Sequence, residues 1–212
     1  MRPLNILIDT AEPALPLVLE WMAAATRPVE ILPASAGRDD ALIRTDVTTR
    51  SPMGAIVHGT GGILVDQGWL RILGSGHPRL SRTLPGWNEG RSRGFLLCAD
   101  DAIGGFFAIN GGSLGQDRGN LHYFNPGSLE WEPLGLGYSA FLQWSFSDNL
   151  GRFYEGLRDF DWRMDIRNLQ GDRVYSFYPF LFTEEGRGGQ GRRSEIPIEE
   201  AWKFQMEIRQ QL

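Results

Sequence analysis

The chain holds one lysine, Lys203, one cysteine, Cys98, and three histidines, and each shortage excludes something. A lone cysteine forms no internal disulfide and fits a reducing compartment. His58, His77 and His122 stand far apart in the chain, with no H-x-x-x-H or C-x-x-C pair among them, so the ligand spacing of a zinc site is missing. No metal and no cofactor are expected. No apolar run approaches the ~18 residues a membrane helix needs, so no membrane partner is expected either. Residues Met1 to Ala25 superficially suggest a signal peptide, but Asn5, Asp9, Glu12 and Glu20 interrupt the apolar region. The cytoplasm is the expected location. With a net charge of −5 and arginines scattered along the chain, no clustered basic surface is available for phosphates, and no nucleic-acid partner is expected.

What is abundant is glycine, 27 residues of 212, which favours tight turns and short strands over long helices. Glu12 to Thr26 reads as a helix capped by Thr10, and Asp39 to Val47 as a second, stopped by the run Thr48 to Pro52. Ile63–Asp66 and Trp69–Ile72 flank Gln67-Gly68 as a hairpin. Gly74 to Arg93 reads as a long polar loop. Strands follow at Phe95–Ala99, Gly105–Ile109, Leu121–Phe124 and Leu129–Glu132. Ser139 opens a helix, and Ser147 or Asp148 caps the next, where Leu150, Phe153, Tyr154 and Leu157 recur at helical spacing. Val174 to Phe182 is an extended aromatic segment broken at Pro179, and 184–194 a Gly/Arg-rich loop. The last helix opens at Pro197 and buries Ile198, Ala201, Phe204, Ile208 and Leu212. The fold class is α+β: a central antiparallel, twisted sheet of about five to six strands with helices at both chain ends packed against it. With no repeat and no dividing linker, residues 1–212 read as a single domain.

No catalytic residue stands out. Cys98 lies mid-strand among apolar residues, where cysteine is a small buried hydrophobe. Asp100-Asp101 could be a carboxylate pair, but at a strand end before glycines it suits an Asx-type turn better. The glycines of 59–62 and 111–115 lack the strand-to-helix setting of a phosphate loop and read as hairpin glycines. The loop from Leu84 to Ser92 is the richest segment, because Trp87, Asn88, Glu89 and Arg91 place an aromatic face, an amide, a carboxylate and a guanidinium close together. Trp and Arg are the residues enriched at binding hot spots. The plainer account has Trp87 pinning the loop to the core while Glu89 pairs with Arg91 at the surface.

The runs Ile72–Pro78, Leu84–Gly90, Tyr123–Glu132, Asp148–Tyr154 and Ser176–Phe180 resemble a bacterial domain-of-unknown-function family, a resemblance that spans most of the chain and implies a fold without an activity. More loosely, the order of an Asp-Asp pair, a Gly-Gly pair, the Tyr123-Phe124 strand, an acidic-aromatic strand and the Tyr138-Ser139-x-Phe141-Leu142 helix is similar to the second half of the SUKH superfamily. That likeness implies an α+β domain of the kind that binds and neutralises toxins.

The expected function is therefore a non-catalytic protein-binding module with a toxin-immunity role. Trp87, Asn88, Glu89, Arg91, Glu130 and Glu132 are the candidate binding residues, and an acidic chain would capture a basic toxin domain quickly. The alternative is an enzyme with a small pocket near His58, Asp100 and His122. A homodimer burying Trp131 and Trp144 is a third reading.

Overall fold

Simple alternation of apolar and polar residues marks only the rim of the sheet in this chain. In the computed structural model, which describes residues 1–91, 93–158 and 162–211, strands β1 (Val29–Pro33), β2 (Thr60–Val65), β3 (Leu70–Leu73), β4 (Phe95–Asp101), β5 (Phe106–Asn110), β6 (Asn120–Asn125) and β7 (Glu130–Gly137) form a seven-stranded sheet in chain order. Every neighbouring pair is antiparallel. All residues of β2 and β3 are buried, the charged Arg71 of β3 included, so both faces of the sheet are covered at these strands. Edge strand β7 keeps exposed positions along its length.

Helices α1 (Leu4–Leu7), α2 (Leu15–Ala23), α3 (Arg38–Thr45) and α4 (Pro52–Gly59) lead in, and α5 (Leu84–Asn88) lies between β3 and β4. After β7 come α6 (Tyr138–Ser145), α7 (Asp148–Phe153) and α8 (Trp162–Ile166), then a two-stranded sheet of β8 (Arg173–Tyr178) and β9 (Arg192–Pro197), and α9 (Ile198–Arg209). Adjacent strand residues point to opposite faces, so Phe107 and Tyr123 meet Phe141 of α6 and Phe153 of α7 on one side. Phe106 meets Trp87 of α5 and Trp202 of α9 on the other. Trp131 packs against Phe95 and Phe124, and Trp144 against Phe141 and Phe153, all within the chain.

The α+β class with an antiparallel sheet holds, with more strands than the five to six expected. Helices are not confined to the chain ends. Thr83 accepts a hydrogen bond from the Gly86 N–H and starts α5 inside the stretch read as loop. Ser51 does the same for Gly54 and starts α4, so the glycines at 59–62 join a helix to a strand and are not a hairpin. The β2–β3 turn is also longer than two residues. Val65 pairs with Leu70, and Asp66, Gln67 and Gly68 all adopt positive φ. Asp66 leaves the strand because Arg27 and Arg158 hold its buried carboxylate. Ser147 caps α7 as expected, and Ile198 and Ala201 of α9 are buried as expected. Ser92 and Leu212 lie outside the described residues. Among the described residues no helix is long and apolar enough to cross a membrane.

Candidate functional site

Asp100 and Asp101 end β4 side by side, and strand alternation sends them to opposite faces of the sheet. Asp101 accepts four hydrogen bonds: from the Ile103 and Gly105 N–H groups at 3.0 and 2.7 Å, and from the Tyr123 and Tyr154 hydroxyls at 2.7 Å each. The backbone pair is the Asx-type turn expected from sequence. Burial raises the Asp101 carboxyl's pKa, opposed first by the Tyr154 hydrogen bond. Burial also pushes both phenols well above their ordinary value, so they stay donors.

Asp100 faces two arginines. Arg71 Nε donates to it at 2.7 Å, and the two Nη groups of Arg82 bind its carboxylate from the loop before α5. Arg71 also donates to the Arg173 and Asp101 carbonyl oxygens, both at 2.6 Å. Arg82 Nε reaches Asp172 at 2.8 Å and its Nη2 the Gly171 carbonyl at 2.8 Å. The chain Arg71–Asp100–Arg82–Asp172 thus ties β3, the loop that follows it, β4 and the approach to β8 into one connected unit that is buried up to the partly exposed Asp172. Gly171 makes the last link feasible, since a Cβ there would sit 2.1 Å from the Arg79 carbonyl oxygen.

Beside this network lies a cleft of about 390 Å³, a volume ordinary for small-molecule sites. Leu64 and Arg71 form its floor, the β2–β3 turn with Gln67 one wall, and Arg167, Asn168, Gln170 and Asp172 the other, with Arg79 at the end. Arg79 makes a two-pronged pair with Glu30. Burial alone would raise the Asp172 carboxyl, but the Ser81 and Arg82 hydrogen bonds outweigh it and hold the group below its usual range. The lining is rich in donors, with its charges mostly paired. Arg71, Arg82, Arg167 and Asp172 were not singled out from sequence, because their partners are distant along the chain.

The candidates named from sequence sit as follows. Trp87 is 2% exposed, with the guanidinium groups of Arg82 and Arg91 4.8 and 4.2 Å from its ring centroid. Asn88 bonds the Leu97 N–H and the Leu84 and Leu97 carbonyls, clamping α5 to β4. Trp87 therefore pins the segment as the plainer account supposed, but Glu89 pairs with Arg44 and Arg91 with Glu199, not with each other. Glu130 meets Arg209 at 3.5 Å, and Glu132 accepts from Asn125 and Ser128. His58 is bound by Asp39, Asp100 by the two arginines, and His122 by Asp117. These are three separate sets of partners. Cys98 is buried, and burial raises its thiol pKa far above the ordinary value. Among the described residues no group of three or more His, Cys, Asp or Glu is placed to hold a metal ion.

The amino-terminal layer carries a different feature. Helix α2, Leu-Pro-Leu-Val-Leu-Glu-Trp-Met-Ala, has Glu20 as its one charged residue, yet Val18 is its one fully buried side chain. Leu17 and Leu19 are 43% and 42% exposed, and Ile6 of α1 57%. Helices apolar on all sides are ordinarily enclosed.

No solved structure matches the chain significantly. It is similar to the "Putative uncharacterized protein YbfG" of Escherichia coli (strain K12), at 44% identity over 216 residues, covering 99% of this chain and 98% of that one. It is also similar to an "Uncharacterized protein" of Haemophilus influenzae (strain ATCC 51907 / DSM 11121 / KW20 / Rd), at 39% identity over 191 residues, 85% of this chain and 83% of the other. The family model described as "Protein of unknown function DUF2625" matches residues 4–201, and the chain belongs to that family.

Proposed function

We propose that the protein is a non-catalytic module that binds another protein through the apolar surface of α2. The observation that carries this reading is the exposure of Leu17 and Leu19 on a helix with a single charged residue. Leu17 and Leu19 keep 43% and 42% of their surface in water on either flank of the buried Val18, so covering them would contribute only part of the roughly 1.5–3 kcal/mol that full burial of an aliphatic side chain gives. The buried charges support the same reading. Asp66 and Asp100 are neutralised by arginines and Asp101 is saturated by four donors, so these groups hold the fold together.

In its finer form the partner is a basic toxin domain in the cytoplasm and the role is immunity. The net charge of −5 favours such a partner. Glu89 and Glu130, each in an exposed pair with Arg44 or Arg209, are acids it could recruit, because exposed pairs are worth only about 0–1 kcal/mol and exchange readily. The test is capture of tagged protein from its host, comparing wild type with Leu17→Asp/Leu19→Asp. A protein should co-purify with the wild type and be lost from the variant at unchanged melting temperature. Equal recovery with both would remove α2 from the account.

A further inference from the structure

We infer that the cleft floored by Arg71 is a binding site for a small, polar carboxylate, with Arg167 as the residue that receives the carboxylate group. This does not depend on the α2 surface and rests on a different observation, the charge balance of the cleft. Arg71 is paired with Asp100, Arg82 with Asp100 and Asp172, and Arg79 with Glu30. Arg167 differs. Its Nε donates at 2.8 Å to the neutral Gln67 amide oxygen, and among the described residues it has no carboxylate within ion-pair reach. Among the described residues the cleft therefore holds one cation, Arg167, without a counter-charge.

The geometry around Arg167 suits a planar anion. Gln67 is fixed in the β2–β3 turn with φ 65° and engages only the Nε position. The two Nη groups remain for the parallel pair of hydrogen bonds that a carboxylate accepts from arginine. Asn168 and Gln170 line the same wall and supply amide donors and acceptors for hydroxyl, amide or amine groups on the rest of the ligand. At about 390 Å³ the space suits a ligand of metabolite size. A phosphate monoester fits less well, because its dianion would bring two charges to one free guanidinium beside the Asp172 carboxylate.

Titration of isotope-labelled full-length protein, followed by NMR at the backbone amides of 166–172 and the arginine Nε groups, tests this. The probes are glutamate, malate, inorganic phosphate, glucose, and a short peptide with a free or an amidated C-terminus. At least one carboxylate should shift the Arg167 Nε and the 166–172 amides, saturating below ~10 mM, where a site of ~1 mM affinity is about nine-tenths filled. Arg167→Gln should weaken that binding tenfold or more with an unchanged melting temperature, while Arg163→Gln leaves it intact. If the free-terminus peptide binds best and its amide not at all, the carboxylate chemistry stands and its source is a chain end. No shift with any carboxylate at that concentration, tighter binding of phosphate, or wild-type affinity in Arg167→Gln would each overturn the inference.

Discussion

Asp100 is the residue on which two buried guanidinium groups depend. Removing one partner of a buried pair leaves an uncompensated charge in a low-dielectric interior, which costs more than the pair itself contributes. Asp100→Ala should accordingly lower stability by about 3–5 kcal/mol in a urea titration, whereas Glu89→Ala, in an exposed pair, should change it by less than ~0.5 kcal/mol. A small loss for Asp100→Ala would mean that Arg71 and Arg82 find other partners. Gly105 makes a second residue-scale prediction. A Cβ there would stand 2.2 Å from the Tyr123 hydroxyl and 2.4 Å from the Asp101 carboxylate. Gly105→Ala should therefore break a hydrogen bond of the Asp101 site and lower the melting temperature, by an amount matching a loss of roughly 1–3 kcal/mol. An unchanged melting temperature would place Tyr123 elsewhere.

Among the elements, the segment leading into β8 is held to the sheet by Asp172, and its pH response has a definite sign. The folded carboxyl titrates below its ordinary 3.8. As pH falls through that value the unfolded chain takes up its proton first, so the contribution is present above it and lost as pH drops through the folded pKa. Wild type should therefore lose stability faster than Asp172→Asn between pH ~5 and ~3. Parallel curves would show that Ser81 and Arg82 leave the carboxyl unperturbed. This segment also shows where sequence reading stops. Helix α9 was legible, because Pro197 precedes it and Ile198 and Ala201 sit on one stripe. Helices α1 and α5, four and five residues long, are too short to display a period. Helix α4 was hidden by its glycines, of which Gly54 is there for closeness to Thr48, where a Cβ would lie 2.1 Å from the carbonyl oxygen. Trp87 stood out in the sequence as a candidate binding residue for its aromatic face, and its burial at 2% exposure matches the plainer alternative of a side chain pinning the segment to the core. The Arg71–Asp100–Arg82–Asp172 chain was not legible, because its members are 29, 18 and 90 residues apart and no local pattern encodes such pairing.

At the scale of the whole molecule, buried residues from α1 through α9 belong to one contiguous hydrophobic cluster. We expect residues 1–212 to unfold as one unit, with tryptophan fluorescence and far-ultraviolet circular dichroism giving the same midpoint. Two separated transitions would divide the chain instead. Against that enclosed core the amino-terminal layer stands out, since α2 leaves Leu17 and Leu19, and α1 leaves Ile6, in contact with water. The most direct test of the binding role replaces Leu17 with a photo-crosslinking amino acid in host cells, with Glu207 on α9 as a control position. The account predicts one discrete adduct with a different protein from position 17 and none from position 207. No adduct from position 17, or one made only of two copies of this chain, would contradict it.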